Sequence, residues 1–314
     1  MALPGADKDQ RRESGAFVPL ADWRHIGRGV GWRENMMVKG RAVTDLSGGE
    51  RRTLVIAPHP DDEALGLGAY LRRHRPGALV FLTDGVPREP RFYSSDQRYD
   101  SPDAYRAERQ AEALKAASRF YRLEPGQLHF LNAPDMECVE QMPALEAELT
   151  RIAEGLRPCA IWSPAYEGGH PDHDVASFLA ARLARRLRAD HWEYALYHYY
   201  HGFQQLNFLG EGPVITRALT LEEMAYKKRL LATYASQTHT LRQFRTNVER
   251  YRRAQGYDFS RRPVTGPAMY EVWQFPVTPE LLIERFSQLQ AQEPMPLTTG
   301  PARAFLENAR PLML

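Results

Sequence analysis

The chain has 314 residues, 43% of them hydrophobic and 25% charged, with a formal net charge of +2. That composition supplies a sizeable core, and a near-neutral balance with dispersed Lys and Arg argues against a nucleic-acid surface. No apolar run approaches the length of a membrane span. Cys138 and Cys159 form no CxxC pair, so the expected setting is reducing and cytoplasmic, with both thiols as small buried residues.

The first fifty residues open on a polar, charged stretch, Gly5 to Ser14, without the apolar core of a secretory signal. Phe17, Val18, Leu20, Trp23 and Ile26 then give this N-terminal extension (1–50) enough apolar side chains to pack on a core. From Arg52 to Asp190 the pattern alternates. Strands fit Thr53–Ala57, Ala78–Thr83, Gln127–Leu131 and Ala160–Ser163; helices fit Asp62–Arg73, Ala104–Arg122, Ala144–Leu156 and Asp172–Arg188. Short apolar strands alternating with helices predict an α/β fold: a Rossmann-like, mostly parallel sheet with helices on both faces. No GxGxxG follows the first strand, which disfavours a dinucleotide.

Between Asp84 and Asp103 lies a long loop rich in Pro, Arg and Tyr, read as a substrate lid, with Arg88 as a contact to substrate. Beyond His191, the stretch Glu193 to His201 alternates as a strand, and His198 and His201 read as wall residues near a pocket rather than ligands. Glu222–Tyr234 reads as a helix, Gln237–Arg253 as a polar, Arg-rich helix, Tyr270–Phe275 as a strand and Glu280–Gln290 as a helix. A proline-bearing arm, from Pro294 to Pro311, closes the chain.

Two clusters carry the chemistry. In the first, Pro58-His59-Pro60-Asp61-Asp62-Glu63 stands where strand hands over to helix, with three acids in the first helical turn. His59 and Asp62 can reach one point across that corner, and of two adjacent carboxylates one can ligate while the other acts on water. In the second, Gly168-Gly169-His170-Pro171-Asp172-His173 again follows a strand and opens a helix, with Pro171 suited to the first turn. One of its two histidines can bind metal while the other faces the reacting group. Two such corners at strand ends point to a single shared metal site.

These motifs resemble those of the metal-dependent sugar de-N-acetylases, the relatives of N-acetylglucosaminyl-phosphatidylinositol deacetylase and of deacetylases of bacterial thiol and glycopeptide-antibiotic synthesis. Thr83-Asp84-Gly85, Arg109-Gln-Ala-Glu112-Ala, Asn132-Ala-Pro134-Asp135 and Tyr234-Ala-Ser236-Gln237 agree in order, so the resemblance covers about residues 50 to 240. It departs before the second motif, where close relatives often carry an aromatic group and this chain has Gly168-Gly169, with Tyr166 further back.

The resemblance implies a deacetylase domain over 51–275, followed by a helix and arm over 276–314. It implies that His59, Asp62 and His173 hold one Zn2+, that Asp61 is the general base, and that a protonated His170, oriented by Asp172, stabilises an oxyanion. Asp135 would bond sugar hydroxyls. The expected substrate is an N-acetylglucosamine-type sugar or conjugate. The rival readings are an amidase on another acyl group, a phosphoesterase, and a catalytically silent carbohydrate-binding protein. Acetate release set against phosphate release separates the first two from the deacetylase.

Overall fold

Leu54, Val55, Ile56 and Ala57 form a strand because their side chains alternate between two apolar layers, Leu54 and Ile56 in one and Val55 and Ala57 in the other. This strand, β1 (Thr53–Ala57), is buried on both faces from Leu54 onward, as a central parallel strand must be. The computed structural model describes residues 52–94, 99–199, 204–210 and 212–292. The N-terminal extension and the proline-bearing arm lie outside the described residues.

After β1 come α1 (Asp62–Arg73), β2 (Ala78–Pro87), α2 (Pro102–Ala116), β3 (Leu128–Asp135), α3 (Cys138–Leu156), β4 (Ala160–Pro164), α4 (Pro171–Leu187) and β5 (Asp190–Tyr194). A short ribbon follows, β6 (Tyr197–His198) with β7 (Gln205–Leu206), then β8 (Ile215–Ala218), α5 (Leu221–Leu231), α6 (Thr238–Leu241), β9 (Val248–Arg253), α7 (Met269–Val272) and α8 (Pro279–Ala291). The main sheet has the order β3-β2-β1-β4-β5-β9-β8. Strands β1 to β5 pair in parallel, and β9 and β8 add an antiparallel edge. The expected α/β architecture with a mostly parallel sheet is therefore present.

Helices α1 and α5 pack one face of the sheet, with Leu67, Tyr70, Leu230 and Tyr234 in its apolar layer. Helices α3, α4 and α8 cover the other with Leu149, Phe178, Leu282 and Phe286, so α8 belongs to the same core as the central strands. Chain order runs outward from β1 to β2 and β3, then returns to the other side of β1 as β4 and β5. The direction reverses between β1 and β4, and the carboxyl ends of those two strands open the crevice where α/β sheets place their sites.

Four expectations need correction. Gln237–Arg253 is not a helix; it holds the short α6 and then the edge strand β9, where Arg252 pairs with Glu193 and Arg253 with Asp190, so neighbouring strands neutralise the basic run. Tyr270–Phe275 is not a strand, because Met269 donates its amide to Gly168 O (2.8 Å) and Glu271 accepts the Ala268 amide (2.6 Å), closing the turn α7. The strand expected over Glu193 to His201 ends at Tyr194, and Tyr197–His198 pair separately with β7. Helix α3 begins at Cys138 and runs through Pro143 instead of starting after it.

Among the described residues no helix is long and apolar enough to cross a membrane.

Candidate active site and metal centre

The corner after β1 carries unusual backbone. Asp61 adopts φ 135° and ψ −22°, a region that costs a non-glycine residue energy and persists where its surroundings enforce it. Its carbonyl accepts the amides of Ala64 (3.0 Å) and Leu65 (2.9 Å), and its amide donates to Glu63 Oε2 (3.2 Å). Glu63 is itself fixed from behind: its Oε1 accepts hydrogen bonds from Tyr234 (2.6 Å) and Tyr121 (3.1 Å). Tyr121 is placed by a π-helical turn, Ala117–Tyr121, that ends α2 where the sequence predicts regular helix to Arg122. Burial raises the Glu63 carboxyl to about 7.

Asp62 reaches three groups with one oxygen. Its Oδ2 accepts the His59 amide (2.9 Å), lies 3.0 Å from His59 Nδ1 and 3.4 Å from His173 Nε2. Burial would raise its pKa, but His173 and His59 overcome that and hold it well below the carboxylate range. On the far side of the ring, His59 Nε2 lies 3.0 Å from Asp135 Oδ1 and 3.3 Å from Asp172 Oδ2. Burial lowers the His59 pKa, yet these carboxylates outweigh it and the ring is raised well above its ordinary value.

The second corner brings His170 and His173 to the same place. The ring of His59 stands 4.5 Å from that of His170 and 5.3 Å from that of His173, centroid to centroid. Among the described residues, two donor sets have all their atoms within 4.8 Å of one another: His59, His170 and His173, and His59, Asp135, His170 and Asp172. Both contain His59; neither contains Asp62, which meets His59 and His173 through Oδ2 alone.

The donors fit a cation. His173 Nε2 is buried and has no hydrogen-bond partner, and the surrounding carboxylates draw a proton onto His59, the response of a site with excess negative charge. Mixed imidazole and carboxylate donors suit zinc and its neighbours in the first transition row.

Two expected roles change. His170 is not protonated near neutral pH: burial and the facing His59 push its pKa well below the ordinary value. Asp172 does not orient it with its carboxylate either, which accepts the amides of Met136 (2.7 Å) and Cys138 (3.1 Å). Instead the Asp172 amide donates to His170 Nδ1 (3.2 Å), an assignment that leaves the ring proton on Nε2, facing Asp135 Oδ1 at 3.5 Å. Asp135 is thus inside the cluster. Arg88 is not: its side chain is 66% exposed and pairs with Glu137 (3.0 Å).

Arg109 is the main charged residue that reading for roles misses. Its buried guanidinium lies 3.3 Å from Asp61 Oδ2. A Cβ at Gly85, which has φ +67°, would come within 2.5 Å of that guanidinium, so glycine is required there. The signal was available: Tyr105, Arg109, Glu112, Ala113 and Ala116 share the buried face of α2. The ordered motifs also meet one another, since Ser236 donates its amide (2.8 Å) and hydroxyl (2.6 Å) to Glu112 and Gln237 bonds Tyr105 (2.6 Å). Tyr166, the aromatic nearest the second motif in sequence, turns away and donates to Arg261 O (2.8 Å). The ring beside His173 is that of Tyr197, at 5.1 Å. A Cβ at Gly169 would meet the Tyr197 carbonyl oxygen at 1.9 Å, which is why no side chain stands before His170.

A strand-end crevice that gathers histidines and carboxylates from two helix N-termini defines an α/β protein with a candidate metal-assisted hydrolytic centre. Residues 54–184 match the family described as PIG-L, GlcNAc-PI de-N-acetylase, and form a domain of that family. No curated protein matches the chain significantly. Among solved structures the chain is similar to a deacetylase of the teicoplanin biosynthesis pathway, at 15% identity and a TM-score of 0.49, over 66% of this chain and all of that one. It is also similar to the A40926 pseudoaglycone deacetylase Dbv21, at 18% identity and TM-score 0.46, over 66% of this chain and 100% of that chain. A third is the N,N'-diacetylchitobiose deacetylase of Pyrococcus horikoshii, at 17% identity and TM-score 0.47, over 64% and 83%.

Proposed function

We propose that this protein is a metal-dependent hydrolase that removes the N-acetyl group from an N-acetylglucosamine-type sugar or its conjugate. The observation that carries the reading is Asp61: a buried carboxylate facing Arg109, beside a histidine and carboxylate cluster but outside its compact donor sets. A pure binding site has no use for such a group held in a costly backbone conformation.

His59, Asp62 and His173 would hold the ion, zinc by the family's analogy. When bound, it supplies a Lewis acid that polarises an acyl carbonyl and brings the pKa of a water molecule to about 7. The chain's own groups do the rest. Burial raises the Asp61 carboxyl to about 8, with Arg109 opposing the rise; in its ionised form this group takes a proton from water and then returns it to the leaving amine. His170, neutral and with its proton on Nε2, donates a hydrogen bond to the acyl oxygen as charge develops there. Asp135 accepts from a sugar hydroxyl at the mouth of the cluster, where its side chain is 13% exposed. A reducing, cytoplasmic setting fits a chain with two cysteines and no CxxC pair.

The test is acetate release. Purified protein with its metal content measured is offered N-acetylglucosamine conjugates, with phosphate esters alongside. Appearance of acetate and free amine in proportion supports the reading; phosphate release without acetate overturns it.

A further inference from the structure

We infer that the group attached to the sugar is apolar and ring-bearing, held against an aromatic wall that Tyr197, Trp273, Phe275 and Phe92 build beside the histidines; this rests on the deacetylase reading above. The wall starts inside the cluster, where the Phe275 ring stands 5.3 Å from that of His170 and the Tyr197 ring 5.1 Å from that of His173. From there it leads outward, with Phe92 5.2 Å from Phe275, Trp273 5.6 Å from Phe275 and 6.0 Å from Tyr197. All four side chains are part-exposed; Tyr197 and Phe275 lean with one side on the apolar layers of the core, whereas Trp273 and Phe92 belong to neither layer.

Three of these rings come from residues beyond the family domain, and the fold fastens them to the site. Tyr270 donates to Asp174 Oδ2 (3.2 Å), one residue past His173, and the Met269 amide donates to Gly168 O (2.8 Å), two residues before His170. Gln274 then takes φ 55° and ends the turn between Trp273 and Phe275. The wall is therefore held in register with the histidines by hydrogen bonds.

A sugar with its acetamide at the cluster occupies the space against His170 and Phe275. Trp273 and Phe92 lie one ring further out, where only what the sugar is attached to can reach them. Part-exposed rings in series favour an apolar partner with a flat face over a hydrated one, since burying them releases water and aligns π-systems. The aromatic side chains of the loop do not all join in, as Tyr99 stacks on Tyr105 and Tyr93 packs against it at a tilt.

The experiment compares phenyl and methyl N-acetyl-β-D-glucosaminide as substrates, and phenyl and methyl β-D-glucoside, which carry no acetamide, as calorimetric ligands. The phenyl compounds are expected to win by about tenfold in kcat/KM, through KM, and by about tenfold in Kd. Trp273→Ala should bring both ratios to within about threefold, and Phe275→Leu, which keeps bulk if the alanine variant folds poorly, should narrow them too. Equal binding of the two glucosides, or ratios untouched by both substitutions, overturns the inference. Absence of acetate from both glycosides sinks the deacetylase reading instead, and the glucoside binding ratio still reads the wall by itself.

Discussion

The guanidinium of Arg109 lies 3.3 Å from Asp61 Oδ2, with both side chains buried, and it is the cation that faces a carboxylate both donor sets leave out. A proton carrier needs such a partner, because burial raises the carboxyl and the facing guanidinium opposes that rise, easing loss of the proton. Asp61→Asn keeps the shape of the corner and removes the proton acceptor. Turnover is expected to fall about 10²- to 10⁴-fold while metal content holds, as measured by acetate release and elemental analysis on the same sample. A variant that keeps its activity would remove Asp61 from the base role.

The ligand assignment separates from its neighbour by metal content. Asp62→Ala and His173→Ala are each expected to lose most of the bound ion after dialysis, whereas Asp135→Asn should retain it and raise KM. The reverse outcome would place the ion among His59, Asp135, His170 and Asp172, the four-residue donor set. Chelator treatment of the parent protein should abolish acetate release, and added zinc should restore it.

A buried ion pair fixes the helix that carries the first motif. Lys227 and Glu249, both fully buried, meet at 2.9 Å, and Lys227 donates to Leu65 O (2.6 Å) while Glu249 accepts the amides of Ala69 (2.7 Å) and Tyr70 (3.0 Å) in α1. Removing one partner strands a charge in the core. Lys227→Met is expected to cost about 3–5 kcal/mol in denaturant unfolding. The double replacement Lys227→Met with Glu249→Gln should cost clearly less than the two single losses added, and strict additivity would count against the pair.

His191 gives stability a pH dependence of its own. Burial lowers its pKa from the ordinary 6.5 to about 4, and Ser163 Oγ lies 2.9 Å from its Nε2. The unfolded chain therefore binds a proton between pH 6.5 and 4 that the folded chain refuses. This contribution is whole above pH 6.5 and is lost as pH falls toward 4, amounting to about 3 kcal/mol. His191→Gln should flatten that part of the curve in urea melts taken across the interval; an unchanged slope would show that His191 titrates normally.

What the sequence determined by itself was the periodic part. The alternation of short apolar strands with amphipathic helices sets a mostly parallel sheet, and β1 and α1 fall on the residues expected. The proximity of His59, Asp62, His170 and His173 was legible for the same reason: parallel strands deliver all their carboxyl ends to one edge, so motifs that follow strands converge. Tertiary structure alone decided the rest. Whether Val248–Arg253 is strand or helix depends on Glu193, Asp190 and Lys227 arriving to neutralise its charges. The neutral state of His170, the amides of Met136 and Cys138 that claim Asp172, and the π-turn that points Tyr121 at Glu63 arise from burial and from partners remote in the chain. Local pattern reads the period of an element; what faces its side chains is set only when distant segments pack against it.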